Sequence, residues 1–457
     1  SAASDVYKRQ VLRRIKMGSF FVELLQTPPI TLGLVALIGL ILQRESIDKI
    51  FSGTVKTALG MLILTFGSDI IVSEIMPFAQ LFPEVFNLDG FATSSEAVVG
   101  AMQSEIPMIA SASALIMAFG FLINVLLARL TPLKYIYLTG HMMWILSSVL
   151  AFAFYVSDYN QLMTIVLGSI MQGIIMTLLP AIAQPLVKKV SGTNDFAIGH
   201  LTTIGTVASG YIGGLIGNEE NSAEKLQLPD SLNFFRDTSM SISIIMGIFY
   251  LVLVILAGPE LVSNYAQGQN YIIFGIIKAL GFTAGILILL QGVRMFLGEL
   301  VPAFKGISDT LVPGAVPALD VPVLFGMAPN SLMIGFIFSI LGMIIGMIAS
   351  SILFSVVPLV SIIGAFFTGG VSGIFGNAKG GKIGSIVSGL IYGFLLIFGS
   401  AFLSTLYNFA EYGAAGVGHD TVDVVAILSL LKNPISGILI IIVIFVGYCI
   451  YEARTKT

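Results

Sequence analysis

Charge is scarce in this chain, and that scarcity excludes most of what a protein of this length could be. Asp, Glu, Lys and Arg make up 10% of its 457 residues, against about 25% in an average soluble domain. No long polar segment stands apart from the apolar ones, so any water-soluble partner domain must be a separate chain. Cysteine is nearly absent too. Cys449 stands alone in the last apolar run, which excludes a disulfide framework and a thiolate metal site. Histidine occurs three times, at His141, His200 and His419, with spacings that fit no metal-ligand pattern. Neither a metal nor another cofactor is expected. A net charge of −3 gives no sign of nucleic acid as a partner.

What remains is hydrophobic: 56% of residues, with a mean hydropathy of +0.97. A helix needs roughly 20 apolar residues to cross the hydrocarbon core. Eleven such stretches occur, near 27–43, 54–79, 108–130, 133–156, 161–186, 238–257, 271–303, 329–353, 354–372, 383–407 and 434–451. The expected fold is an all-α polytopic membrane protein of about eleven transmembrane helices, surrounded by lipid. Arg44, Lys49, Arg129, Lys134, Lys188, Lys189, Lys225, Lys379, Lys382 and Arg454 fall in alternate loops, and Lys432 stands on the other side. The positive-inside rule then places the C-terminus in the cytoplasm. Residues 1–16 ("SAASDVYKRQVLRRIK") differ from everything that follows. They lack the apolar core of a signal peptide and are set aside as a foreign leader, with one membrane-embedded domain expected over 17–457.

Two windows 225 positions apart repeat each other. "GMLILTFGSDIIVSEIMP" (60–77) and "GILILLQGVRMFLGELVP" (285–302) share Gly60/Gly285, Leu62/Leu287, Ile63/Ile288, Leu64/Leu289, Gly67/Gly292, Glu74/Glu299 and Pro77/Pro302. Five crossings separate them, and an odd number inverts the second copy. The expectation is an inverted repeat, with one half over about 17–235, the other over about 236–432 and a final helix at 434–451. In such carriers the substrate lies at midplane between the halves. Asp69 and Arg294 hold equivalent positions with opposite sign, which predicts a structural ion pair or snorkelling at helix ends. Glu74 and Glu299 are expected to be structural. At the same offset Ser95 falls on Asp320. Each lies in a short polar, Pro- or Gly-bearing stretch that reads as a re-entrant hairpin, as do 196–217 and 408–423. Asp320, bounded by Pro313, Pro317 and Pro322, is expected to meet a ligand. Imidazole and carboxylate together suit a sugar or polyol. "GNAKGGKI" (376–383) nearly fits a phosphate-binding loop, but Ile383 replaces the required hydroxyl. It reads as a glycine-rich turn between spans.

The motifs "YLTGHMMW", "AIGH", "EKLQLPDSLNFFRD", "QGVRMFLGELVPAFKGIS", "LVPGAVPALD" and "MAPN" resemble the ascorbate-specific enzyme IIC (permease) family of the phosphoenolpyruvate-dependent phosphotransferase system. The resemblance runs from about Met17 to the last helix. It implies a homodimer in a bacterial cytoplasmic membrane, each protomer divided into a V-shaped dimerising domain and a core with hairpins. It also implies uptake coupled to phosphorylation, with separate IIA and IIB proteins supplying the phosphoryl group. The family's substrate contacts fall on Ser95, Glu96, His141, Ile145, His200, Leu201 and Asp320. Glutamine stands at the Ile145 and Leu201 positions in that family and tyrosine at Glu96, so a neutral polyol is expected in preference to ascorbate. Asp320 is the expected proton acceptor. Composition and repeat alone would equally suit an ion- or proton-coupled carrier. A membrane-embedded enzyme fits poorly, because no nucleophile–base spacing appears.

Overall fold

A computed structural model describes residues 27–86, 95–226, 238–355, 357–407, 416–429 and 434–455. The leader and the "LPDSLNFF" stretch lie outside them. The helices are α1 (Pro28–Leu42), α2 (Ile47–Phe86), α3 (Ser95–Glu105), α4 (Pro107–Leu130), α5 (Gly140–Tyr155), α6 (Gln161–Ser191), α7 (Thr203–Ile216), α8 (Thr238–Ala266), α9 (Tyr271–Thr310), α10 (Pro329–Leu353), α11 (Ile362–Tyr407), α12 (Val422–Ser429) and α13 (Pro434–Thr455). Local chemistry sets their ends. Proline opens α1, α4 and α10, where its missing N–H costs nothing and its fixed φ suits the first turn. The side chains of Asn160 and Asn270 cap α6 and α9.

Seven of these helices are long and apolar enough to cross a membrane, counting α11 as one. Yet α11 turns back on itself at Gly381, whose φ of 61° is left-handed and suits glycine alone. The Ser372 hydroxyl donates to Ser388 O at 2.9 Å, and Ser388 Oγ donates to Ser209 O on α7 at 2.7 Å. Two antiparallel arms, 362–380 and 382–407, thus replace a single rod. The expected spans at 354–372 and 383–407 correspond to these arms, except that helix begins only at Ile362. The expected span at 133–156 needs a larger correction. Tyr135–Tyr137 form a strand, β1, and the helix behind it has 16 residues. The aromatic and β-branched run Tyr-Ile-Tyr finds a strand partner, and that pairing overrides helix formation.

β1 belongs to a three-stranded parallel sheet, in the order β1 (Tyr135–Tyr137), β3 (Val316–Leu319), β2 (Ala197–Ile198). Tyr137 lies opposite Ala318, and Ile198 opposite Leu319. An open sheet edge is costly away from water, and two amides from flanking helices cover it. Asn124 of α4 donates to Tyr135 O at 3.0 Å and accepts from Tyr137 N–H at 2.9 Å, as a neighbouring strand would. Gln184 of α6 donates to Phe196 O at 3.2 Å beside β2.

The repeated windows lie on α2 and α9, which cross antiparallel in close contact. A Cβ at Gly67 would come 2.3 Å from Leu289 N, and one at Gly292 would come 2.2 Å from Leu64 N. Outside this pair of contacts, a Cβ at Gly60 would come 2.5 Å from Phe296 N and one at Gly285 3.0 Å from Ile71 N. Each contact is the other's image under the 225-residue offset. Glu74 and Glu299 pair across the same crossing, with Lys278 at 2.9 Å and Lys56 at 3.2 Å. Each carboxylate thus ties one helix of the crossing to the other. Asp69 and Arg294 do not meet. Both are exposed, away from the helix ends, and no ion pair joins them among the described residues.

Candidate functional site

The three parallel strands end together, and each delivers one reactive side chain to the same edge. His141 follows β1 by four residues, His200 follows β2 by two, and Asp320 follows β3 directly. Parallel strands put all their carboxyl ends on one side, the usual place for ligands on such sheets. The backbone continues the register beyond the strands: Leu138 N–H donates to Ala318 O at 2.9 Å and Gly199 N–H to Leu319 O at 2.7 Å.

His141 Nε2 lies 3.7 Å from Asp320 Oδ2. The imidazole is 42% exposed and the carboxylate 21%, so both are open to a ligand. Asp320 keeps its other oxygen for its own backbone, since Oδ1 accepts from Val321 N–H at 2.8 Å at the start of the 3₁₀ turn Val321–Met327. His141, Asp320, Thr139, Leu32, Leu64 and Phe296 are among the residues lining a cavity of ≈ 30 Å³ between the sheet and helices α1, α2 and α9. That volume holds about two waters and no carbohydrate. A sugar enters only if the two walls separate.

His200 is buried, and its Nδ1 contacts Thr202 Oγ1 at 2.8 Å and accepts from Thr202 N–H at 3.4 Å. An accepting Nδ1 assigns the ring proton to Nε2. Asp420, His141 and His419 all stand in the neighbourhood of this ring. His419 Nε2 stands 3.3 Å from Asp420 Oδ2, both side chains under 10% exposed and so walled off from the ligand cavity.

Ser95 opens α3, fully buried, and its hydroxyl accepts from Asp420 N–H at 3.0 Å. The side chain of Glu96 lies outside the described residues. Ile145 and Leu201 are both 0% exposed and pack in one apolar cluster, and neither lines the ligand cavity. Among the expected residues, then, the structure brings His141, His200 and Asp320 to one sheet edge. It places Ser95 on the neighbouring 3₁₀ turn His419–Thr421 and buries Ile145 and Leu201.

Sequence reasoning missed Asp420 and Asp423. Asp423 Oδ2 accepts from Gly205 N–H at 2.6 Å, and Tyr392 OH donates to Asp423 Oδ1 at 3.1 Å. This holds the first turn of α7 beside His200. The signal in the sequence was "GHDTVD", where two carboxylates follow a histidine in an otherwise apolar region.

On the basic face, Glu224 clamps the start of α10, accepting from Asn330 N–H at 3.1 Å and Ser331 N–H at 2.8 Å. Asn377 Oδ1 accepts from Ala223 N–H at 2.7 Å, and Lys189 pairs with Glu219. Part of the polar stretch that followed α7 in the sequence is therefore docked on the helical hairpin.

Residues 23–423 match the EIIC-GAT family model, the PTS system sugar-specific permease component. An ascorbate-specific PTS system EIIC component of Mycoplasma pneumoniae (strain ATCC 29342 / M129 / Subtype 1) is 27% identical over 475 residues, which covers 92% of this chain and 70% of that relative. The chain belongs to the EIIC-GAT family and is a multi-pass membrane permease component of the phosphotransferase system.

Proposed function

We propose that this sugar-specific permease component carries an ascorbate-like sugar acid or polyol, preferring a neutral polyol, and presents it for phosphorylation by a separate IIB protein. The observation that carries this reading is the meeting of His141, His200 and Asp320 at the carboxyl edge of one parallel sheet. Carboxylate and imidazole supply acceptors and donors for a polyhydroxy ligand. The apolar packing of Ile145 and Leu201 leaves fewer polar partners for an anion's oxygens.

Phosphoryl transfer then proceeds in line. A substrate hydroxyl oxygen forms a bond to phosphorus, the bond from phosphorus to the IIB cysteine sulfur breaks, and sulfur leaves as thiolate. The hydroxyl proton passes to the Asp320 carboxylate, which His141 orients.

Transport follows from the small cavity: the α1, α2 and α9 wall parts from the sheet to admit substrate and closes behind it, as inverted-repeat carriers rock about a fixed site. The reading includes about eleven crossings, re-entrant hairpins, a V-shaped domain built on α2 and α9, a bacterial cytoplasmic membrane and a cytoplasmic C-terminus. It also includes a homodimer. Asp69 and Arg294 lie on outward stripes with Phe66, Leu59, Leu287 and Ile288, and each charge in hydrocarbon costs about 2.5–3.5 kcal/mol. A second copy that sets Asp69 against Arg294 removes that cost.

Membrane vesicles test the reading. Uptake of a pentitol or ascorbate that requires phosphoenolpyruvate, IIA and IIB together is the expected result. Uptake driven by an ion gradient with the soluble proteins withheld overturns it.

A further inference from the structure

Thr139 holds the N-cap position of α5, two residues before His141, yet its side chain makes no cap hydrogen bond. Threonine at that position ordinarily accepts from the second or third helical N–H. The backbone does its part, with Met143 N–H donating to Thr139 O at 3.1 Å. The hydroxyl is buried, with the residue 4% exposed, and has no hydrogen-bond partner among the described residues. An unsatisfied buried hydroxyl costs about 1–3 kcal/mol, a cost that a ligand hydroxyl reaching it would relieve. Thr139 is one of the residues lining the cavity of His141 and Asp320.

We propose that Thr139 is a direct substrate ligand, its hydroxyl hydrogen-bonding one carbohydrate hydroxyl beside the His141–Asp320 pair. This rests on the carbohydrate reading above and names a specificity residue within it. A hydroxyl both donates and accepts, so it meets a sugar OH in either sense and leaves the carboxylate free for the reacting oxygen. Tyr137, two residues earlier at the end of β1, marks the limit of the inference. Its hydroxyl is likewise unpartnered among the described residues, and the charges of Asp320 and Asp420 reach it. It is fully buried and absent from the cavity wall, so it lies behind the ligand.

Thr139→Val keeps the shape and removes the hydroxyl, and Thr139→Ser keeps the hydroxyl. Thermal unfolding of the purified, ligand-free proteins is measured first, then binding of L-ascorbate and of ribitol. Thr139→Val is expected to unfold at the wild-type temperature or above, because it deletes an unsatisfied group. It should bind whichever probe the wild type takes at least 10-fold more weakly, with Thr139→Ser within 3-fold of wild type. One monodeoxy analogue of that probe should bind wild type and Thr139→Val alike, which identifies the hydroxyl contacted. Unchanged affinity in Thr139→Val overturns the proposal, as does a lowered unfolding temperature, which would mean a structural partner. A wild type that binds neither probe nor takes up any carbohydrate overturns the substrate reading itself, and this assignment with it.

Discussion

Gly67 and Gly292 occupy each other's mirror position in one crossing: a Cβ on the first would strike Leu289 N at 2.3 Å, and on the second Leu64 N at 2.2 Å. In both cases the obstacle is backbone, which cannot rotate aside. Gly67→Ala and Gly292→Ala are expected to destabilise by similar amounts, about 1–3 kcal/mol, as overpacked cores do. Gly247→Ala on α8, where a Cβ would meet nothing within 4 Å, is expected to be neutral or stabilising. Thermal unfolding in detergent compares the three, and unequal losses at the two crossing glycines would refute the equivalence.

The two ion pairs of the crossing differ in exposure. Glu74 and Lys278 are 20% and 22% exposed, whereas Lys56 and Glu299 are 54% and 32%. Breaking a buried pair strands a charge and is costly, while exposed pairs contribute about 0–1 kcal/mol. Glu74→Gln should therefore lower the unfolding temperature more than Glu299→Gln. The exchange of Glu74→Lys with Lys278→Glu should recover most of that loss.

Asp320→Asn preserves the shape of the side chain and the acceptor for Val321 N–H, but removes the base. Phosphorylation of substrate in the presence of IIB should fall about 100-fold or more, the range ascribed to general acid–base catalysis. Substrate binding should fall by less than about 10-fold. Equal loss of both would reduce Asp320 to a positioning residue.

Charge reversal at Lys188, Lys189 and Lys225, all exposed on the basic face, is expected to slow IIB-dependent phosphorylation and to flatten its salt dependence, because such charges chiefly govern encounter. Substrate affinity should not change. Glu219 adds a control. Its hydrogen bond with Lys189 holds its carboxyl below the usual range, so the pair stays ionised above about pH 4.5 and loosens only as pH falls below that. In the unaltered protein the pair should therefore stay intact throughout pH 6 to 8, and IIB-dependent phosphorylation should show no break there from its loss.

If Asp69 and Arg294 pair between copies, Asp69→Arg should shift the protein toward monomer in mild detergent. Adding Arg294→Asp should restore the dimer. Light scattering on the purified variants reads both, and a dimer indifferent to either change would place the interface elsewhere.

Much of this molecule is legible in its residues, and the illegible part has a physical cause. The apolar runs reported their helices because about 20 residues must agree before a span exists. The repeat was visible through Gly60, Gly67, Gly285 and Gly292, but their contact was not, since which helix faces which depends on packing. The sheet was hidden by its size. Two to four residues are too few to show an alternating pattern, so in the sequence alone "YIY" reads as part of a helix and "VPAL" as part of a hairpin. Yet the three site residues each followed a short apolar run, in "YIYLTGH", "AIGH" and "VPALD". Thr139 gave no sign at all, because an N-cap threonine looks the same whether its hydroxyl caps the helix or waits for something else.

The glycine contacts of the α2–α9 crossing are matched by their own images under the 225-residue offset, but its ion pairs are not: Lys56 falls on Gly281 and Lys278 on Gly53. Under the proposed rocking mechanism, the matched glycines alone would not favour one direction over the other. Vectoriality must come from features without a twin. The Glu224 clamp on α10 and the lysines around it occupy one face only. On the proposed reading, the direction of transport is set by such unmatched features rather than by the matched glycines.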